Sequence, residues 1–175
     1  MGDERNERNS TAVHSADNSP RRRKATFGGS GCYSKETRAI IKGLPTAKLR
    51  KRPAPDKWSV SEILAHLADT EIVVGFRMRL ILDAPGTPVV AVDQDSWVTS
   101  GHYEKRDPRK SVEQFRVVRE ANLALLKSLT PQQWKHYGMH SERGQETIEH
   151  IVRMYAGHDI NHLQQIERIL SEKPK

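Results

Sequence analysis

Residues 156–166 read Ala156-Gly157-His158-Asp159-Ile160-Asn161-His162-Leu163-Gln164-Gln165-Ile166, and their spacing predicts a helix. Ile148, Val152, Tyr155, His158, His162, Ile166 and Ile169 recur at intervals of three and four, the period of a helix with one face turned to a core. His158 and His162 fall on that face four residues apart, where Cβ atoms stand ~5–6 Å from each other. Two ring nitrogens so placed suit one metal ion at ~2.0–2.1 Å from each. An imidazole turned inward needs a partner, because a buried polar group without one is costly. A metal is such a partner, and the alternative is a pair of hydrogen-bonded core histidines.

Three further helical segments lie upstream. The first spans Ser34 to Gly43, with Thr37, Ile40, Ile41 and Leu44 on its apolar side. Pro53 and Pro55 then mark an extended linker, since the residue before a proline avoids the helical region. The second helix opens on Ser59-Val60-Ser61-Glu62, a capping box. Ile63, Leu64, Leu67, Val74, Met78 and Ile81 continue its apolar side until Pro85-Gly86 ends it. The third spans Ser111 to Leu129 through Phe115, Val118, Ala121 and Leu125, and Thr130-Pro131 stops it. Trp134 to Gly144 read as a loop, and the fourth helix runs from near Gln145 to Leu170. Strand-like alternation is almost absent. The expectation is an all-α four-helix bundle with a long crossover, Pro85 to Pro108, between helices 2 and 3. Connections this long are commonly functional, so Asp93-Gln94-Asp95 within it either edges a pocket or forms a turn.

A two-histidine site is weak for a divalent metal, so a third ligand is expected. His66 lies inside the second helix and shares a face with Ile63, Thr70 and Val73. Packed helices stand ~8–10 Å apart, close enough for imidazoles from each to converge. Three histidines with one position open is the geometry of a catalytic site. Of the remaining histidines, His14 lies near the start of the chain and His102 and His136 lie in loops. His140 is placed to approach one end of the bundle, and His150 sits two turns from His158, too far for the same ion. Asp69, Asp159 and Gln165 are positioned to orient the three imidazoles or to serve as ordinary helix-surface groups. Arg77 and Arg79 are candidates for meeting an anionic thiol, with a solvated role as the alternative. No catalytic acid or base can be assigned.

The chain has 175 residues, which suits one domain with a real core. Its net charge is +7, to which Arg21-Arg22-Arg23-Lys24 contributes. Residues 1–30 hold few large apolar side chains and are expected to be a disordered basic tail, with the folded domain over 31–175. Aromatic residues make up only 6% and no nucleic-acid motif is present, which argues against a nucleic-acid partner. The single Cys32 cannot form an internal disulfide, which fits the cytoplasm. No apolar run is long enough for a membrane span, and no apolar stretch near the N-terminus suggests secretion.

Trp58-Ser59-Val60-Ser61-Glu62-Ile63-Leu64-Ala65-His66-Leu67-Ala68-Asp69, followed in order by Gly157-His158-Asp159-Ile160-Asn161-His162-Leu163-Gln164-Gln165-Ile166, resembles the DinB-like (DinB/YfiT) metal-dependent family. The Phe115–Leu129 helix and the Gly138–Gly144 loop join the resemblance, which covers residues 34–171. It implies an up-down-down-up four-helix bundle, a homodimer, and one divalent transition metal, zinc or nickel, held by His66, His158 and His162. Several members of that family transfer low-molecular-weight thiols such as bacillithiol or mycothiol, or use them in isomerisation, and others are described as hydrolases. The expected function is therefore a metal-dependent enzyme acting on a small molecule, foremost a thiol-dependent S-transferase with such a thiol as co-substrate. The alternatives are a metal-dependent hydrolase or a non-catalytic metal-binding stress-response bundle.

Overall fold

A computed structural model describes residues 36–172, so the expected tail over 1–30 and the start of the domain at 31 lie outside the described residues. The elements in chain order are α1 (36–40), α2 (Thr46–Arg50), α3 (Val60–Asp83), β1 (Pro88–Val89), α4 (Gln94–Ser100), α5 (Pro108–Ser128), β2 (Tyr137–His140), β3 (Gly144–Thr147) and α6 (Ile148–Ser171). No described helix is long and apolar enough to cross a membrane.

The expected capping box opens α3. Ser59 Oγ accepts the Glu62 amide at 3.3 Å, and the Glu62 carboxylate accepts the Ser59 amide at 2.7 Å. Glu62 is fully buried, and Arg52 from the preceding linker pairs with it, so its charge is met on two sides. Asp107 caps α5 by accepting the amides of Arg109 and Lys110, and Pro108 occupies the first helical position, where its missing N–H is no loss. The helix expected third in the bundle, α5, therefore begins three residues before the expected Ser111.

Helix directions follow from which residues share a core. One apolar cluster holds Val60, Ile63, Leu64 and Leu67 of α3 with Val112 and Phe115 of α5 and Ile166 of α6. A second holds Val74, Met78 and Ile81 with Leu126, Ile148 and Ile151. Early residues of α3 and α5 thus meet late residues of α6, so α3 and α5 run parallel and α6 runs against them. Together with α1, which packs Ile40 on the first cluster beside Ile41 of the following turn, they form an up-down-down-up four-helix bundle. Parallel neighbours cannot be joined by a tight turn, which is the physical reason for the long crossover. That crossover contains α4, capped by Asp93 on the amides of Asp95 and Ser96.

Against the expectation of almost no strand, a three-stranded sheet closes one end of the bundle. β1 pairs in parallel with β2, and β2 pairs antiparallel with β3. The expected loop from Trp134 to Gly144 contains β2 and the turn that leads into β3. The start expected for the fourth helix falls in β3, and α6 begins at Ile148 with the Thr147 hydroxyl as its cap. Strands of two to four residues are too short to show alternation.

Between the two apolar clusters lies a polar layer. Arg119 of α5 is 7% exposed and donates to Glu71 of α3 at 2.6 Å and to Asp159 of α6 at 2.7 Å. Asn122 donates to the Glu71 carboxylate at 2.9 Å and to its backbone carbonyl at 3.0 Å. Gly75 makes room for that amide: a Cβ there would stand 2.4 Å from Asn122 Oδ1. Gly75→Ala should displace Asn122 and destabilise the fold by about 2 kcal/mol, lowering the melting temperature by roughly 4–8 °C. Thermal denaturation followed by circular dichroism measures this, and an unchanged melting temperature would show that the layer tolerates the loss.

Candidate metal centre

His66 on α3 and His158 and His162 on α6 come together beside the first apolar cluster. One ring nitrogen from each lies within 4.8 Å of the others, a grouping with the spacing of a metal site. His66 Nε2 and His158 Nε2 are 2.9 Å apart. Ring centroids are separated by 5.1 Å between His66 and His158, 4.9 Å between His66 and His162, and 4.5 Å between His158 and His162. Trp58, at the entry to α3, lies nearly parallel to the His162 ring at 6.3 Å and tilts over His66 at 5.1 Å.

Hydrogen bonding decides which nitrogens face inward. His162 Nδ1 lies 3.0 Å from Gln165 Oε1, and His158 Nδ1 lies 3.4 Å from Asp159 Oδ1. Both oxygens accept, so each Nδ1 carries a proton and each Nε2 is the nitrogen left for a further partner. Burial pushes His66 down to about 3, helped by repulsion from His162 and His158. Burial likewise pushes His162 down to about 4, with His158 adding to the shift. These imidazoles are neutral at physiological pH. One proton shared between His66 Nε2 and His158 Nε2, with the Thr70 hydroxyl 3.5 Å from His66 Nε2, can serve that pair, whereas a divalent transition cation can accept a lone pair from all three rings. The donor set fits such an ion: three imidazoles, a residue type that binds metal as a neutral ligand and leaves its charge undiminished.

A cleft of about 420 Å³ opens beside His66 and His158. Its walls include His66, Thr70, Val73 and Arg77 of α3 with Tyr155 and His158 of α6, and the crossover supplies Val92, Asp93, Gln94, Asp95 and Trp97. Asp93-Gln94-Asp95 thus edges the pocket, the first of the two roles weighed for it. Gln165 and Asp159 reach imidazoles as considered from the sequence, and Asp159 also binds Arg119.

Asp69 does not orient His66 by a hydrogen bond. Its carboxylate accepts from Tyr103 at 2.7 Å, Arg106 at 2.8 Å and Gln114 at 3.4 Å, which ties the crossover to the bundle. Arg77 lines the cleft, but Arg79 turns toward α5 and donates to Asn122. His140 is buried in β2, where its Nδ1 accepts the Glu142 and Arg143 amides. Neither it nor the exposed His150, 4.0 Å from Glu146, belongs to the cluster. Glu71, Arg119 and Arg143 escaped the sequence reading, and Tyr155, read only as part of the inward face, and Trp58, read only as part of a motif, were given no place at the site, because what these residues do depends on neighbours from other helices and loops.

The depressed histidines set a pH dependence. Between about pH 6.5 and their folded values, the unfolded chain binds protons that the folded chain refuses. Stability is therefore complete above about pH 6.5 and is lost as pH falls toward 4 and then 3. In chelator-treated protein the melting temperature should drop between about pH 7 and pH 4.5, and His66→Gln should shallow that drop. A flat profile would mean that the rings are hydrated or charged in the fold.

Comparison with known proteins agrees with this architecture. A protein of Halalkalibacterium halodurans named "Putative metal-dependent hydrolase" is 26% identical over 132 residues, spanning 75% of this chain and 77% of that one. The solved structure of YfiT from Bacillus subtilis, described as a probable metal-dependent hydrolase with an unusual four-helix bundle topology, superposes with a TM-score of 0.82 at 21% identity, covering 90% of this chain and 91% of that one. A mycothiol-dependent maleylpyruvate isomerase superposes with a TM-score of 0.67 at 10% identity, over 82% of this chain and 60% of that one. The DinB superfamily model matches residues 34–166, and the chain belongs to the DinB superfamily.

Proposed function

We propose that this chain is a metal-dependent enzyme whose single divalent transition metal, zinc or nickel, is held by His66, His158 and His162, and that it transfers a low-molecular-weight thiol to a small-molecule substrate. The observation that carries the metal is the convergence of three imidazoles from two helices, with one ring nitrogen of each within 4.8 Å of the others and the Nδ1 atoms of His158 and His162 held by side-chain oxygens. When bound, the ion supplies Lewis acidity, which ionises a ligated thiol or water near neutral pH.

The residues around it do the rest. Gln165 and Asp159 hold two ring orientations, and Trp58 walls the cluster against the core. The cleft admits a molecule of ordinary metabolite size. Its carboxylates, Asp93 and Asp95, sit on the crossover, and Asp93 is occupied as a helix cap. Asp159, beside His158, is committed to Arg119. A coordinated water and a coordinated thiol would both be acidified by the metal, so the ligand set itself serves either nucleophile. The structural likeness to a mycothiol-dependent enzyme favours thiol transfer. The second reading is hydrolysis, favoured by the name given to the Halalkalibacterium halodurans relative.

A cytoplasmic homodimer belongs to the same proposal. Ile72 and Phe76, exposed by 47% and 60% one turn apart on α3, give self-association an apolar face to bury.

Elemental analysis of protein purified without a metal-loaded column should find about one equivalent of zinc or nickel, and His158→Ala should lose it. The loaded protein should consume a thiol together with an electrophilic co-substrate, and His66→Ala should abolish both metal retention and turnover. Full turnover in His66→Ala would overturn the proposal. Release of acid from ester or amide substrates without thiol consumption would select the hydrolase.

A further inference from the structure

Arg77 lies three turns beyond His66 on the same helix and lines the same cleft, yet it is only 7% exposed. Its Nη1 donates to the Tyr155 hydroxyl at 3.0 Å and its Nη2 to the Val90 carbonyl at 2.6 Å. Both acceptors are neutral, and no described carboxylate forms an ion pair with it. Arg119, buried to the same 7%, is held between two carboxylates. A guanidinium has five donors, and burying its charge without a counter-charge is costly. Arg77 is thus a fixed cation on the wall of a cleft, with donors to spare and no anion of its own.

The distance to the histidines is set by one side chain. The Tyr155 hydroxyl touches Arg77, and the centre of the Tyr155 ring lies 5.7 Å from that of His158. An aromatic ring therefore separates the cation from the imidazoles. Arg143 also lines the cleft, but its guanidinium is paired with Glu146 at 2.6 Å and 3.1 Å. Asp93 and Asp95 on the crossover side disfavour a dianion. One unpaired guanidinium balances one negative charge, and its planar edge matches a carboxylate.

Resting on the metal-centre reading, we infer that the cleft takes an elongated monoanionic ligand. Its carboxylate sits on Arg77 and its reacting group sits at His66, His158 and His162, with the Tyr155 ring beneath the chain between them. The assignment holds for thiol transfer and hydrolysis alike, because it concerns the end of the ligand remote from the chemistry.

Cobalt-loaded full-length protein tests it with two probes of equal length, mercaptohexanoate and mercaptohexanol. Sulfur-to-cobalt charge-transfer absorption reports thiol binding without any turnover. The parent should bind the carboxylate probe about tenfold more tightly, the ratio expected for one charge-assisted contact. Arg77→Gln should abolish that preference while still binding the alcohol, and Arg77→Lys should keep part of it. Equal affinities in the parent, or a preference that survives Arg77→Gln, would overturn the inference and leave the metal centre standing. Failure of the parent to take up cobalt would overturn the metal-centre reading and this inference with it. Should Arg77→Gln not fold, the parent comparison and Arg77→Lys decide.

Discussion

Arg119 is the constraint on which the rest of the arrangement depends. Its guanidinium belongs to α5, and the two carboxylates it holds belong to α3 and α6, so one buried group fixes three helices at one level. Burial opposes its charge, but Asp159 and Glu71 more than restore it. Such a layer is weak evidence of net stability, because ions taken out of water lose much of what they gain from each other. It is better evidence of register. A purely apolar interface between α3 and α6 would tolerate sliding by a turn, whereas a cation meeting two anions would not. His66 comes five residues before Glu71 and His158 immediately precedes Asp159, so the register that joins the carboxylates also joins the imidazoles. Asp159 makes the coupling direct, with one oxygen toward Arg119 and the other toward His158.

The imidazoles are a local weakness that this frame tolerates. Three mutually close rings, at least two with protonation driven far below neutrality by burial, contribute nothing to the fold that aliphatic side chains would not supply better. Conflict between local stability and chemistry of this kind is expected at functional sites. It is concentrated where α3 is well anchored, just after the Ser59–Glu62 box and the Arg52 ion pair. The long helices thus begin and interlock independently of the histidines.

What was legible in the sequence was what one helix shows by itself. The Ser59 cap, the His158–His162 pair and the inward face of His66 follow from intervals of three and four residues along one segment. The convergence of three histidines was legible because the bundle leaves helices few ways to present inward faces to each other. The polar layer was not, since Glu71, Arg119 and Asp159 acquire their roles only from one another across three helices. Asp69 illustrates the same limit: its proximity to His66 in sequence suggested an imidazole partner, but Tyr103 and Arg106 claim its carboxylate. The sheet was missed because two- to four-residue strands carry no measurable period. Asp107-Pro108 did hold a readable signal, an N-cap followed by proline, and the apolar period beginning near Ser111 masked it.

The topology itself makes the pocket. In an up-down-up-down bundle, short turns would leave the inward histidines facing either core or open solvent. Here α3 and α5 are parallel, so the chain must travel back along the bundle between them, and it does so across the mouth of the histidine site. Asp69 secures this returning segment through Tyr103 and Arg106, which places Val92 to Trp97 on the cleft. The imidazoles and Arg77 are set by rigid helices, while the facing wall belongs to a connection that can change length and composition without disturbing the core. On the proposed reading, chemistry and anchoring would be fixed by the frame, and the crossover would add to discrimination among ligands. In such a fold a shared metal chemistry can serve many substrates, because the groups that would hold the metal and the groups that select the molecule lie on separate parts of the chain.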